Sequence, residues 1–319
     1  MNALQGVSGS VRVQFHGRVI IIARPSTALQ ARIGLTRIMV KKTGKKAPRV
    51  ARPRKPTMAD RADRHALYEA AVQCVEHEVD FVDAEFKRLR GHRATTLRED
   101  FCGTGNTSCE WVRRRPANRA VGVDLDAEVL GWGQAHHVAG LTLSQRRRLS
   151  LIEGDVLTTG GAQVEILLAM NFSYWLFRER SQLRDYFKRA RANLTNDGVF
   201  FLDCFGGYES FQELTEHTEH KRFTYTWEHA SYNPINGDFT CHIHFSFPDG
   251  SRLKQAFTYE WRLWTLPEIR ELLAEAGFSR STVYWQGWDE KEQTGSADFT
   301  PTEVADPDAG WICYIAAEK

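Results

Sequence analysis

Residues 97–126, LREDFCGTGNTSCEWVRRRPANRAVGVDLD, decide how the rest of the chain is interpreted. The pattern predicts in order a strand, a tight turn, a helix and a second strand, over residues 95–101, 103–105, 107–115 and 120–124. Gly103 and Gly105 allow the backbone to turn sharply where the strand ends, and they let a ligand approach because they have no Cβ atom. Asp124 ends the second strand, roughly where such a unit places a carboxylate for ribose hydroxyls. The unit therefore predicts a nucleoside-containing cofactor.

The alternation of strands and helices continues after this unit. Further strands are predicted over residues 149–153, 165–170, 199–205, 281–285 and 311–317, with helices over 127–139, 181–193 and 266–276. A helical region over residues 60–89, which Gly91 ends, precedes the unit, and a polar loop is expected between the last two strands. Such alternation indicates a mostly parallel, doubly wound α/β sheet with helices on both faces.

Residues 222–264 differ in kind from the segments on either side. Large aromatic residues alternate with polar ones, and turn sequences occur at 236–237 and 248–250. Short alternating runs separated by such turns are typical of an antiparallel meander. We therefore expect an antiparallel β insertion over residues 222–264, within a domain that spans residues 59–319.

Charge is distributed unevenly along the chain. Residues 1–59 hold 13 Lys and Arg and no acid, whereas residues 60–319 hold 29 basic and 40 acidic residues, a net charge of −11. Residues 1–58 are interpreted as a basic, disordered tail; a nucleic-acid-binding or membrane-surface arm, an organelle transit peptide, and translation starting at Met39 or Met58 are the alternatives. No run approaches the roughly 18 apolar residues of a membrane helix, so no membrane partner is expected.

The cysteine and histidine patterns favour neither a disulfide framework nor a metal site. Six cysteines are scattered without a CxxC pair, as expected for reduced thiols in a cytoplasmic protein. His242 and His244 share one face of a predicted strand, but no third ligand is found at a definable spacing. The sequence therefore predicts a cytoplasmic protein without a metal ion.

Five motifs in a fixed order carry a resemblance to a known family. They are DFCGTGNTS, VGVDLD, EGDVL, LLAMNFSYW and LTNDGVFFLD. Together they make residues 59–319 resemble the class I S-adenosylmethionine-dependent methyltransferases, and within them an uncharacterised bacterial branch. The resemblance implies a seven-stranded Rossmann-like sheet of order 3-2-1-4-5-7-6 with the seventh strand antiparallel, and S-adenosyl-L-methionine as cofactor.

The main alternative at the glycine turn is a dinucleotide site. A dinucleotide turn prefers GxGxxG and a helix N-terminus free for pyrophosphate, but Ser108 stands at the third position here. Glu99 and Asp100 before the turn suit a sulfonium and an ammonium group better than a diphosphate. Phe101 replaces the family's usual glycine, so the alignment leaves open which acid meets the cofactor; Glu99 is favoured, and the two acids should point to opposite faces.

The resemblance also implies roles for individual residues. Asp124 is expected to accept bonds from both ribose hydroxyls, with Asp126 rather than Asp124 as the helix cap. The other expected cofactor contacts are Cys102, Gly103 and Gly105 in the turn, Leu125 on the adenine, Asp155 and the backbone of Val156 near the adenine amino group, and Asn171 near the methyl group. Tyr174 is placed near the methyl group too, with a core role as the alternative.

The predicted function is methyl transfer to an oxygen or nitrogen of a small-molecule acceptor. Such an in-line displacement needs alignment and exclusion of water more than an acid–base dyad, and no dyad is evident. Two other classes stay open: an RNA methyltransferase that residues 1–56 anchor to nucleic acid, and a non-catalytic S-adenosylmethionine-binding protein. MNFSYW lacks the (D/N)PP(Y/F) tetrapeptide of amino-methylating nucleic-acid enzymes, which weakens a DNA-base substrate.

Overall fold

A computed structural model describes residues 54–289 and 294–319. The first 53 residues of the predicted basic tail therefore lie outside the described residues. The helices are α1 Met58–Arg61, α2 Arg64–Val72, α3 Val75–Arg90, α4 Asn106–Arg114, α5 Ala127–His136, α6 Leu143–Arg146, α7 Arg180–Ala192 and α8 Leu266–Glu275. The strands are β1 Thr96–Asp100, β2 Arg119–Asp124, β3 Leu149–Glu153, β4 Val164–Ala169, β5 Leu194–Gly206, β6 Leu214–Glu219, β7 Thr224–Tyr232, β8 Asp238–Ser246, β9 Arg252–Arg262, β10 Arg280–Asp289, β11 Thr294–Pro301 and β12 Trp311–Glu318.

The predicted N-terminal helical region consists of three helices. Thr57 forms a capping box with Asp60 at the start of α1, and Asp63 caps α2 by accepting bonds from two backbone N–H groups. Gly91 ends α3 in the left-handed conformation with φ 77°, as its position predicts. Capping side chains therefore divide this region into separate helices, whose boundaries the spacing of apolar residues did not reveal.

The main sheet has eight strands in the order β11-β10-β12-β5-β4-β1-β2-β3. The five neighbouring strands β5, β4, β1, β2 and β3 are parallel. β12 is antiparallel to β5, and β10 is antiparallel to β12. The predicted order 3-2-1-4-5-7-6 is confirmed for seven of the strands, and so is the α/β class, but the sheet has an eighth strand that was not expected. The expectation of a polar loop after β10 was wrong in part, because residues 294–301 form the edge strand β11. β11 is mostly polar, and Phe299 is its one aromatic residue packed on the core, so the strand shows no apolar alternation.

A second, antiparallel sheet has the order β6-β7-β8-β9. Its three later strands lie within the predicted insertion, but β6 begins at Leu214, before the expected boundary at residue 222. β6 has the sequence LTEHTE, which alternates without an apolar set, so the pattern did not reveal it. The sheet packs through aromatic rings against the main sheet, where Phe239 of β8 lies 6.1 Å from Phe205 of β5 between ring centroids.

Hydrophobic residues fill both sides of the main sheet. On one side α3 and α4 contribute Phe86 and Trp111, which are fully buried. On the other side α7, α8 and the second sheet form one continuous cluster. Because the parallel strands are covered on both faces, the carboxyl ends of β1, β2, β4 and β5 form one edge where a ligand can bind. Among the described residues no helix is long and apolar enough to span a membrane.

Candidate functional site

The turn after β1 is held by main-chain hydrogen bonds. Gly105 N–H donates to Cys102 O over 2.8 Å, and Cys102 N–H donates to Val123 O over 3.0 Å. Gly103 and Gly105 have φ of 54° and 68°, which a glycine adopts without steric cost. A Cβ on Gly105 would lie 2.8 Å from the Leu151 side chain. The turn therefore needs glycine for its backbone shape, as predicted, and α4 starts directly after it.

Phe101, which stands where the family usually has glycine, adopts a left-handed conformation with φ 59°. This conformation disfavours residues with a side chain, which explains the usual glycine. The Phe101 ring packs against Phe177 and Tyr186, with centroid distances of 6.0 and 5.4 Å, and is 4% exposed. Aromatic packing therefore offsets the backbone cost of the left-handed conformation at Phe101.

The two acids before the turn point to opposite faces of β1 and have different partners. The Glu99 carboxylate accepts hydrogen bonds from Ser108 N–H over 2.9 Å and from its hydroxyl over 2.6 Å. Asp100 is paired with Arg98 over 2.7 Å and accepts the Tyr186 hydroxyl. Asp100 is therefore neutralised inside the protein, whereas Glu99 lies beside the turn at the N-terminus of α4.

Burial controls the protonation of both acids. Burial raises the pKa of Glu99 to about 8, and the hydrogen bonds from Ser108 act in the opposite direction. Burial also raises the pKa of Asp100, against the lowering effect of Arg98. The Glu99 carboxyl therefore titrates near neutral pH. A positive charge bound nearby would favour its charged form.

Asp124 lies at the end of β2 and connects two backbone segments. Its carboxylate accepts Gly103 N–H over 2.7 Å and Asp126 N–H over 2.9 Å. Burial raises the pKa of Asp124 to about 6. Asp126 caps α5 by accepting two N–H bonds, so Asp124 is not needed as the helix cap. Leu125 is 55% exposed beside it.

The segment after β3 joins the same edge. Gly154 N–H donates to Asp124 O over 2.8 Å, which ties the ends of β2 and β3 together. Asp155 is exposed and accepts Leu157 N–H over 2.8 Å, and Val156 is buried. The structure therefore brings Asp155 to the edge that carries Asp124, with a turn-stabilising bond of its own.

The segment after β4 has a conformation that the sequence did not predict. Asn171 and Phe172 are both left-handed, with φ of 62° and 58°. Their N–H groups donate to the Asp203 carboxylate over 2.6 and 2.8 Å. Among the described residues Asn171 Oδ1 is buried without a hydrogen-bond partner. Asp203 is a positioning residue that sequence reasoning missed, and its one signal was a single acid inside the apolar strand FFLDCF.

Tyr174 lies in the core below this segment. It is fully buried, and its hydroxyl donates to Asp203 O over 2.6 Å. Burial raises the pKa of the Tyr174 hydroxyl well above its usual value. The side chain thus supports the Asp203 strand from inside, which fits the alternative core role better than contact with a methyl group.

Helix α2 covers the glycine turn through polar contacts. Glu69 accepts the Thr104 hydroxyl over 2.7 Å, and its carboxylate lies 2.6 Å from His137 Nε2. Asn106 Nδ2 donates to Gln73 over 3.1 Å. These contacts join residues more than thirty positions apart along the chain, so no local sequence pattern predicts them. They place the N-terminal helices directly over the candidate site.

The two histidines on β8 are engaged with neighbouring strands. His244 Nε2 lies 2.8 Å from Glu228, and His242 Nδ1 lies 2.9 Å from Thr258. Within the described residues no group of three or more His, Cys, Asp and Glu side chains could hold a metal ion. The six cysteines, all in the described part, are free thiols.

No protein-family model matches the chain, and neither does any curated protein sequence. Solved structures do match. An S-adenosylmethionine-dependent methyltransferase from Clostridium acetobutylicum superimposes with a TM-score of 0.59 at 16% identity, covering 80% of this chain and 96% of that one. CalS10, an amino pentose methyltransferase from Micromonospora echinaspora, gives 0.57 at 16% identity with coverage of 80% and 96%.

A third solved structure covers more of the chain. KedS8, a sugar N-methyltransferase from a Streptoalloteichus species, gives a TM-score of 0.54 at 16% identity, covering 91% of this chain and 99% of that one. At these identities the likeness concerns the fold. The chain has the Rossmann-like fold of class I S-adenosylmethionine-dependent methyltransferases, as its motifs predicted.

Proposed function

We propose that this protein transfers a methyl group from S-adenosylmethionine to an oxygen or nitrogen of a small-molecule acceptor. The observation that carries the proposal is the arrangement of Glu99, the glycine turn and Asp124 at one edge of the sheet. The fold, which is that of known methyltransferases, supports the same activity. Fold alone does not determine function, whereas the side chains at this edge determine which cofactor can bind.

The position of Glu99 argues against a dinucleotide. In dinucleotide-binding proteins the N–H groups at a helix N-terminus hold the pyrophosphate. Here the Ser108 N–H in the first turn of α4 already donates to the Glu99 carboxylate. A pyrophosphate would meet a buried acid at that place, whereas the positively charged methionine end of S-adenosylmethionine would meet an opposite charge.

The other groups at this edge suit the nucleoside part of the same molecule. Two backbone N–H groups fix the orientation of the Asp124 carboxylate, whose remaining lone pairs can accept the ribose hydroxyls. The exposed Leu125 offers an apolar surface for the adenine ring, and Asp155 can accept its amino group. Bound S-adenosylmethionine supplies a methyl group on a positively charged sulfur, and these residues bind and orient it.

The segment at Asn171 would align the transfer. Asp203 holds the Asn171 and Phe172 peptides in one conformation, and the second sheet and α2 cover the region. Alignment and exclusion of water are what methyl transfer requires of a protein. A small acceptor fits a covered site, and two of the similar structures are described as acting on sugars.

Calorimetry followed by a labelling screen tests the proposal. S-adenosylmethionine and S-adenosylhomocysteine should each bind with one-to-one stoichiometry, and NAD should not bind. Incubation with isotope-labelled S-adenosylmethionine and pools of small molecules, peptides and RNA should label a small molecule. Binding of NAD alone would contradict the cofactor. Label in RNA would favour the RNA methyltransferase, and binding without transfer to any pool would favour a non-catalytic binding protein.

A further inference from the structure

The second sheet presents one face, here called the inner face, to the carboxyl ends of β4 and β5. Trp261 on β9 lies 6.4 Å from Phe172, and His229 on β7 lies 6.2 Å from Phe205 between ring centroids. Phe172 directly follows Asn171, where the proposed function places the methyl group. An acceptor that reaches this group would therefore contact the inner face.

Two ionisable side chains lie among the aromatic rings of the inner face. Leu214 pairs with His229, and Glu216 pairs with Trp227, between β6 and β7. Glu216 and His229 are thus diagonal neighbours on one face, within reach of one small ligand. The inward-facing positions of the second sheet are otherwise aromatic, aliphatic or uncharged, with no Lys or Arg among them. This side of the site carries acidic and aromatic groups and no cation.

Neither side chain is fully satisfied by the protein. His229 is 3% exposed, and among the described residues the main-chain oxygen of Gln212 is its one hydrogen-bonding neighbour, which leaves a second ring nitrogen without a partner. Glu216 Oε2 is buried and is likewise without a partner in the described part of the chain. Buried polar groups without partners destabilise a folded protein. Such groups persist where a ligand completes their hydrogen bonds.

Burial favours the uncharged form of both groups. It lowers the pKa of His229 to about 4, an effect that the main chain of Gln212 partly opposes. It raises the pKa of Glu216 to about 8, to which the nearby Glu209 adds. Tyr225, the other titratable group beside Glu216, has its pKa raised by burial and by this carboxyl. A neutral imidazole can accept a hydrogen bond, and a carboxyl of this kind can exchange a proton at the working pH of an enzyme.

We propose that the inner face binds the methyl acceptor as an amine, with Glu216 taking its proton and His229 accepting one of its N–H groups. This inference rests on the proposed function. An amine offers two or more N–H donors, one for each side chain, and its charged form is favoured next to the rings of Trp227 and Trp261. A phosphate or carboxylate would meet Glu216 with no cation beside it. An alcohol can pair with both groups only while Glu216 keeps its proton, and it carries no charge for the Glu216 carboxylate to pair with.

The chemical step balances with these groups alone. In the free protein the Glu216 carboxyl holds a proton, which it releases to water when the ammonium form of the acceptor binds beside it. The resulting carboxylate then takes one proton from the ammonium, which leaves a neutral amine. The nitrogen lone pair then forms a bond to the methyl carbon while the carbon–sulfur bond breaks and sulfur keeps the electron pair. The product is a methylated ammonium ion, and Glu216 releases its proton to water and pairs with that ion. His229 stays neutral and orients the lone pair.

Matched pairs of amine and alcohol probes test this inference. The full chain, saturated with S-adenosylhomocysteine at pH 7.5, is titrated in a calorimeter with benzylamine, benzyl alcohol, cyclohexylamine and cyclohexanol. Each amine should bind at least tenfold more tightly than its alcohol. Glu216→Gln should abolish the preference, and His229→Asn should weaken amine binding several-fold, both without a change in S-adenosylhomocysteine affinity. Glu213→Gln, an exposed acid beside β6, is the matched control and should bind as the wild type does.

The outcomes separate this inference from the proposed function. Equal affinity for amine and alcohol in both pairs, or no amine binding, would overturn the inference even if a variant failed to fold, because the wild type alone decides it. A preference that survives Glu216→Gln in a folded variant would overturn the role of this carboxyl. Failure of the wild type to bind S-adenosylhomocysteine would instead overturn the proposed function.

Discussion

Buried ionisable groups have hydrogen-bond partners at the edge formed by β1 and β2, whereas those on the inner face of the second sheet are incompletely paired. At the edge, Glu99 is held by Ser108, and Asp124 is held by the N–H groups of Gly103 and Asp126. On the inner face, Glu216 Oε2 and at least one ring nitrogen of His229 lack partners among the described residues. The first region is organised before any ligand arrives, whereas the second is completed by its ligand.

This difference corresponds to two kinds of recognition. A cofactor of fixed shape is bound best by groups that are already oriented, because binding then costs little conformational entropy. Groups that depend on the ligand for their hydrogen bonds instead discriminate strongly between ligands that can and cannot supply donors. We therefore expect substitutions at the edge to change cofactor affinity, and substitutions on the inner face to change acceptor choice.

The largest effect is expected where the two regions meet, at Asp203. The two Asp203 oxygens accept the N–H groups of Asn171 and Phe172. Asp203→Asn replaces one of these oxygens with an NH₂ group, which donates and cannot accept. The free energy of unfolding should fall by about 3 kcal/mol, measured by urea denaturation, because a buried N–H group loses its charged acceptor. Asp185→Asn, an exposed acid on α7, is the control. A loss below about 1 kcal/mol would show that the left-handed segment is held by packing instead.

The second effect concerns the edge itself. Asp124→Ala should weaken S-adenosylmethionine binding at least tenfold, about 1.5–3 kcal/mol for charged hydrogen bonds, as measured by calorimetry. Glu153→Gln removes an exposed acid from the end of the neighbouring strand and should leave the affinity unchanged. If folded Asp124→Ala binds as tightly as the wild type, the ribose does not lie at Asp124.

A smaller effect should appear in the pH dependence of stability. The pKa of Glu99 is raised from 4.5 to about 8 in the folded protein, so the folded state binds its proton more tightly than the unfolded state does. The contribution of Glu99 to the free energy of unfolding is therefore largest below about pH 4.5. It declines as the pH rises to about 8, by up to about 1.4 kcal/mol per pH unit.

The variant Glu99→Gln isolates this contribution. It should raise the melting temperature of the ligand-free protein at pH 8 relative to the wild type, and the difference should shrink at pH 5. The same variant should bind S-adenosylmethionine more weakly. Asp124 and Glu216 also have raised pKa values, so the difference between variant and wild type is the informative quantity. An equal pH slope in both proteins would show that Glu99 does not titrate in this range.

The smallest effect is expected from removal of residues 1–53. All groups of the edge and of the inner face belong to residues 54–319, so S-adenosylmethionine affinity and melting temperature should change little. Calorimetry should give an affinity within about twofold of the full chain, roughly 0.4 kcal/mol. Strong, salt-dependent RNA binding that disappears on truncation would instead favour the RNA methyltransferase.

Much of the fold was predictable because its parallel strands are buried on both faces and its turns contain glycine. The strand order followed from the five motifs, and the opposite directions of Glu99 and Asp100 followed from the alternation of a strand. The sequence alone did not settle which of the two acids meets the cofactor. Asp100 is paired with Arg98 on the same face of β1 and with the distant Tyr186, and these pairings are visible only in the folded protein.

The features that were missed depend on contacts between distant residues or lack an apolar pattern. The bond between Glu69 and Thr104 and the two bonds of Asp203 to Asn171 and Phe172 form only when separate elements pack together. β6 and β11 are polar edge strands, which local periodicity does not reveal. The unpaired state of Glu216 and His229 likewise follows from three-dimensional packing.

A crystal structure of the full chain with S-adenosylhomocysteine tests the central claim most directly. The account predicts both ribose hydroxyls at hydrogen-bonding distance from the Asp124 carboxylate, the adenine ring against Leu125, and the amino-acid end at the glycine turn beside Glu99. A ligand bound elsewhere, or a ribose beyond hydrogen-bonding distance of Asp124, would contradict it.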